Sequence, residues 1–212
     1  VTSIIMGGIL VITLVMQLHS NKYVPWKYWL AVVLVSIFGT LVTDNLTDQV
    51  GVPLEVSTIV FTIILLATFW LWHSQEKTLS IQSIDTPKRE LFYWSAILVT
   101  FALGTAAGDW VSEGMDIGYM NSVFLFGGLI FIIYTAYLIL KTNVIFTFWI
   151  IYILTRPLGA SIGDLLSQSE KHGGFGFGVT STSIVFFVFI FVLVLYQSYK
   201  VYISNKMNQN SL

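Results

Sequence analysis

The chain contains no cysteine in its 212 residues, which excludes disulfides, thiolate catalysis and Cys-ligated zinc or iron–sulfur sites. Charge is nearly as scarce. Asp, Glu, Lys and Arg make up 10% of the residues, where a soluble domain carries about 25%. With a net charge of −1 and no basic stripe or RNA-binding motif, nucleic acid is not an expected partner. There is no Ser–His or zinc-binding His motif to support a hydrolase, so no enzyme activity is expected. Residues 1–18 lack a basic n-region and a small-residue cleavage site, so no cleavable signal peptide is expected.

What fills the chain is apolar. Hydrophobic residues make up 56% and mean hydropathy is +0.81. Seven stretches, 2–18, 26–47, 55–73, 91–112, 119–140, 144–167 and 179–201, reach or approach the ~20 residues that cross ~30 Å of hydrocarbon. Helix is the expected state, because lipid offers backbone groups no partners and the segments do not alternate as barrel strands do. The fold class predicted is therefore an all-α, polytopic membrane bundle, with the lipid bilayer as its surroundings.

Lys and Arg set the predicted orientation. Lys22, Lys27, Lys77, Lys88, Arg89, Lys141, Lys200 and Lys206 fall on one side, and Lys171 alone on the other. That asymmetry predicts a cytoplasmic C-terminus and an outward Val1. In the stretch 74–90, Asp85-Thr86-Pro87 followed by Glu90 reads as an N-cap, a first-turn proline and an early acid that open the next helix. Ser57, Asn121, Ser122, Thr2 and Thr180–Ser183 read as caps at the opposite end. His19 and His73 read as interfacial groups at helix ends, not metal ligands, and Gly173–Gly178 as a flexible loop.

Within the apolar background one pattern recurs three times: Trp29, Gly39, Asp44; Trp94, Gly104, Asp109; and Trp149, Gly159, Asp164. The tryptophan-to-aspartate spacing corresponds to about 22 Å of helix. Tryptophans at the cytoplasmic headgroup level would then place the aspartates toward the outer leaflet. With each tryptophan at zero on a helical wheel, the aspartates fall near +60° and Thr40, Thr105 and Ala160 near +20°. Asp48, Glu113 and Gln168 fall near +100° and the glycines near −80°. Gly104-xxx-Gly108 and Gly159-xxx-Gly163 read as close-packing motifs. The alternative is that the glycines break the helix and expose carbonyls to an ion.

Repeated intramembrane carboxylates are expensive and point to function. The candidate ion-binding residues are Asp44, Asp109, Asp164, Arg156, Thr40, Thr105, Asp48 and Glu113, with the three repeated aspartates as a candidate metal cluster and Arg156 as an internal counter-charge. Their hard oxygens suit Mg²⁺, Mn²⁺ or Ca²⁺, so a divalent cation is a candidate substrate, and protons or Na⁺ are equally compatible. Arg156 breaks the repeat, standing where the other copies have Ser36 and Phe101. It needs an acceptor, with Asp44 or Asp109 from a neighbouring helix expected, and the following Pro157 suggests a kink. A small-cation transporter is the leading function. A sensor or scaffold, with homo-oligomer assembly, is the non-transport alternative. An intramembrane aspartyl protease is weaker: Gly108-Asp109 and Gly163-Asp164 lack the preceding glycine, having Ala106 and Ser161 instead, and the partner Tyr-Asp is absent.

The strings Phe101-Ala-Leu-Gly-Thr-Ala-Ala-Gly-Asp109 and Leu154-Thr-Arg-Pro-Leu-Gly-Ala-Ser-Ile-Gly-Asp-Leu-Leu166 carry a resemblance over essentially the whole chain. The repeat resembles that of the uncharacterised membrane-anchored proteins of bacteria, built from tandem two-helix repeats of unknown function, usually four. The resemblance implies a bacterial inner-membrane location and a bundle fold, and brings no activity. The expected division is one membrane domain over 1–212: a half repeat at 1–22, then repeats at 23–86, 87–141 and 142–205. A fourth tryptophan–aspartate helix is expected before Val1, in an eight-helix parent.

Overall fold

A computed structural model describes residues 2–20 and 23–209, with side chains described through 203. Val1, Lys22 and the Lys206 side chain lie outside the described residues, as does the expectation of a helix ahead of Val1. Seven long helices account for the fold: α1 (Thr2–Leu18), α2 (Pro25–Asp44), α3 (Leu54–Glu76), α4 (Pro87–Asp109), α5 (Tyr119–Leu140), α6 (Val144–Ser167) and α7 (Val179–Gln209). There is no strand among the described residues. Among the described residues six helices are long and apolar enough to cross a membrane, and α1, at 17 residues, is shorter.

The helix starts follow local chemistry. Pro25 and Pro87 open α2 and α4, where a missing N–H costs nothing. Thr86 caps α4 by accepting the Arg89 N–H, and Asn143 caps α6 by accepting from Ile145 and Phe146. The expected caps at the opposite end are different. Pro53 and Gly118 occupy the cap positions of α3 and α5 and supply no side-chain bond. Ser122 and Asn121 instead donate back to the carbonyls of Gly118 and Ile117. Those residues lie inside the first turn, where a hydroxyl or amide reaches backward to a carbonyl.

Two of the three aspartate-bearing helices end unusually. Beyond Asp44 the chain continues as a π-helical turn, Asn45–Gln49, and beyond Asp109 as another, Trp110–Gly114. Neither helix breaks at its aspartate, and α6 runs unbroken through Pro157 and Asp164 to Ser167. The glycine loop after α6 is tied down: the N–H groups of Phe175, Gly176, Phe177 and Gly178 bond to the carbonyls of Leu165, Gln168, Leu166 and Ser167. Those bonds satisfy carbonyls that a helix end leaves orphaned. A side chain at Gly174 would collide with the Gln168 carbonyl.

α4 is the hub, packed against α2, α3 and α6. Half of its membrane window is buried, against none of α7's. The other extensive contacts join α1 to α2 and α5 to α6. The returning helices α1, α3 and α5 therefore each pack on the motif helix that follows, and α7 lies against both α2 and α6.

Candidate functional site

The three motif helices lie side by side and parallel. α2 and α4 match repeat position to repeat position: the Tyr28 and Tyr93 hydroxyls are 2.7 Å apart, and those of Thr40 and Thr105 are 3.1 Å apart. Thr43 donates to the Ala102 carbonyl at 2.9 Å. Close approach depends on glycine. A Cβ at Gly39 would meet the Phe101 Cβ at 2.7 Å, and one at Gly108 would meet the Ala160 Cβ at 3.1 Å. A Cβ at Gly104 would collide with Arg156. Gly104 and Gly108 are thus the packing motif that small-xxx-small spacing predicts. Gly159 and Gly163 are not: nothing lies within 4 Å of a Cβ at either. α6 turns a different face to α4, so the glycines of its own copy look away from the contact.

The aspartates gather at the end of this seam. Asp44 and Asp109 each stand four residues beyond the bonded Thr40 and Thr105, and Asp164 stands four residues beyond Ala160, which faces Gly108. Asp44, Asp109 and Asp164 are all half-buried, whereas Asp48 and Glu113 are exposed. A cavity of about 330 Å³ beside Asp44 and Asp48 is shared with Thr2, Ser3 and Asn45. Glu113 accepts a 2.6 Å hydrogen bond from the Tyr119 hydroxyl. Among the described residues, no group of three His, Asp or Glu is placed to hold a metal ion.

Arg156 is not paired as expected. The ion pairs among the described residues are Lys88–Glu76, Arg89–Glu76 and Arg89–Asp85, all at the opposite end. The Arg156 guanidinium instead lies 4.0 Å from the Phe101 ring centre and 4.2 Å from that of Tyr152. Its Nε is buried without a hydrogen-bond partner. Arg156 packs at the level of Gly104, five residues short of Asp109, and its guanidinium is turned the other way, onto the Phe101 and Tyr152 ring faces.

The tryptophans occupy the predicted end of their helices, but Trp94 and Trp149 face inward, 3% and 4% exposed. All three indoles are satisfied. Trp29 donates to Gln197, Trp94 to Glu90 and Trp149 to the Leu79 carbonyl. The inward pair joins an aromatic layer with Tyr28, Trp72, Tyr93 and Tyr152. Lys27, Lys88, Arg89 and Lys141 lie at the nearby helix ends, which makes this the basic end of the molecule.

Sequence reasoning missed the tyrosines and Glu90. One signal was present: Tyr28-Trp29 and Tyr93-Trp94 repeat as dipeptides, with Phe148-Trp149 in the third copy. His19 Nδ1 bonds to the Val15 carbonyl at the end of α1.

Long apolar helices, a hub built on glycine contacts and carboxylates gathered along parallel repeats define a helical membrane protein built by internal duplication. The chain belongs to the family described as a Repeat of Unknown Function (DUF347), whose profile matches residues 27–78, 92–143 and 147–200. A search of curated proteins and a search of solved structures each found no match.

Proposed function

We propose that this protein is a small-cation transporter of the bacterial inner membrane, and that the proton is the cation its geometry fits best. The observation that carries this is the seam between α2, α4 and α6. Along it lie three repeat-related carboxylates toward one end, a bonded hydroxyl pair at Thr40 and Thr105 behind them, and the Arg156 charge deeper still. Carboxylates and hydroxyls can pass a proton without a cage. A divalent ion needs about six or more oxygens in a closed shell, and Asp44, Asp109 and Asp164 are not grouped in that way. Arg156 is then a fixed positive barrier between the aspartates and the basic end. It favours a gated carrier over an open cation pore. The excess of Lys and Arg at the basic end supports placing that end, and the C-terminus, in the cytoplasm.

The test is proton flux into proteoliposomes carrying an internal pH dye. Wild type is expected to dissipate an imposed gradient, and Asp109→Asn or Asp164→Asn to lose that flux while keeping its elution volume in detergent. Wild-type flux in both variants would sink the proposal. A scaffold reading draws on α7, none of whose membrane window is buried. It expects the same variants to change oligomer mass and leave flux untouched.

A further inference from the structure

We propose that the cavity at the basic end binds a small organic ammonium ion, a primary or secondary amine in its protonated form. The cavity measures about 560 Å³ and lies between the end of α1, the start of α2, α4 and the connection leading into α4. Its aromatic wall is continuous: ring centres are 5.7 Å apart for Tyr23–Tyr28, 5.6 Å for Tyr28–Trp94 and 5.4 Å for Tyr93–Trp94. Ring faces of this kind attract cations.

The polar groups point the same way. Glu90 lines the cavity, and its Oε1 accepts from Gln17 Nε2 and Trp94 Nε1, both at 3.2 Å. Neutral donors hold that carboxylate in place, and it joins no ion pair among the described residues. The other acid on the wall, Asp85, is matched by Arg89 at 3.0 Å. The nearby Lys27 ammonium donates to Ser20 at 2.9 Å. Gln17 also lines the cavity and is 8% exposed, and its Oε1 is buried with no hydrogen-bond partner. An unused buried acceptor is costly.

The cavity therefore offers the Glu90 carboxylate, which joins no ion pair among the described residues, beside a wall of tyrosine and tryptophan rings. Anions are repelled by Glu90. A neutral alcohol brings one donor and no charge. A quaternary ammonium brings charge and no N–H. A protonated primary or secondary amine supplies the charge, the N–H groups and an apolar stem for the rings. This site is separate from the aspartate seam, and binding is expected whether or not the chain moves ions.

The experiment is isothermal titration of the purified full chain in detergent with n-butylammonium, tetramethylammonium and 1-butanol. Saturable binding of n-butylammonium is expected, at least tenfold tighter than either of the others. Glu90→Gln should weaken n-butylammonium binding at least tenfold while Asp109→Asn leaves it unchanged. The proposal is overturned if either comparison ligand binds wild type as tightly as n-butylammonium, if none binds, or if folded Glu90→Gln binds like wild type. Should Glu90→Gln fail to fold, the ligand series on wild type decides.

Discussion

The hydroxyls of Thr40 and Thr105 meet at 3.1 Å, and the two residues occupy the same position in adjacent repeats. Tyr28 and Tyr93 repeat the relationship further along the same two helices. Parallel neighbours in matched register put each residue beside its own counterpart. A side chain introduced by duplication therefore became its own partner across the seam.

That contact can be measured as a coupling. Thr40→Val and Thr105→Val should each destabilise the protein modestly, and the double variant should cost less than their sum. The expected coupling is about 0.6 kcal/mol, the scale of interhelical hydrogen bonds in membranes. A double-mutant cycle of unfolding in mixed micelles gives the value, and strict additivity would show that the hydroxyls do not interact.

Two glycines at the same repeat position should respond in opposite ways. Gly104→Ala drives a methyl into Arg156 and should cost about 1–3 kcal/mol by separating α4 from α6. Gly159→Ala meets nothing within 4 Å, so it should be neutral or gain up to about 1 kcal/mol in helix propensity. Thermal unfolding in detergent distinguishes them, and equal shifts would contradict the register of α4 against α6.

Arg156 should not tolerate lysine. A planar guanidinium can lie against both the Phe101 and Tyr152 rings, whereas an ammonium is a compact, more strongly hydrated charge. Arg156→Lys is expected to lose about 0.5–2 kcal/mol of stability. Arg156→Met keeps the apolar stem, removes the barrier, and should raise proton leak in proteoliposomes. A leak unchanged from wild type would remove Arg156 from the proposed gate.

The helices, their polar stripe and the shared end of the tryptophans could be read from spacing alone, because 3.6-residue periodicity fixes which side chains share a face. Which neighbour meets that face could not. The wheel places Gly104 and Gly159 identically, yet only Gly104 supports a contact, because α4 touches two motif helices and α6 touches one. Arg156 stands out in the sequence as a break in the repeat, but the sequence points to carboxylate partners that it does not meet. Its acceptors are ring faces, which carry no charge in a sequence. Glu90 looked like helix-start punctuation because its contact with Gln17 spans 73 residues, a separation that no local pattern reports.

The packed pairs are α1–α2, α3–α4 and α5–α6, out of phase with the sequence repeats, which begin at the tryptophan helices. During synthesis α1, α3 and α5 each enter the bilayer before the helix they pack against has been made, whereas α7 meets partners already in place. Chain cleavage has a corresponding asymmetry. Cuts at 50–53 or 115–118 leave every hairpin whole, so such fragments should reassociate when co-expressed. A cut at 78–86 strands α3 without α4 and divides the hub from its closest support.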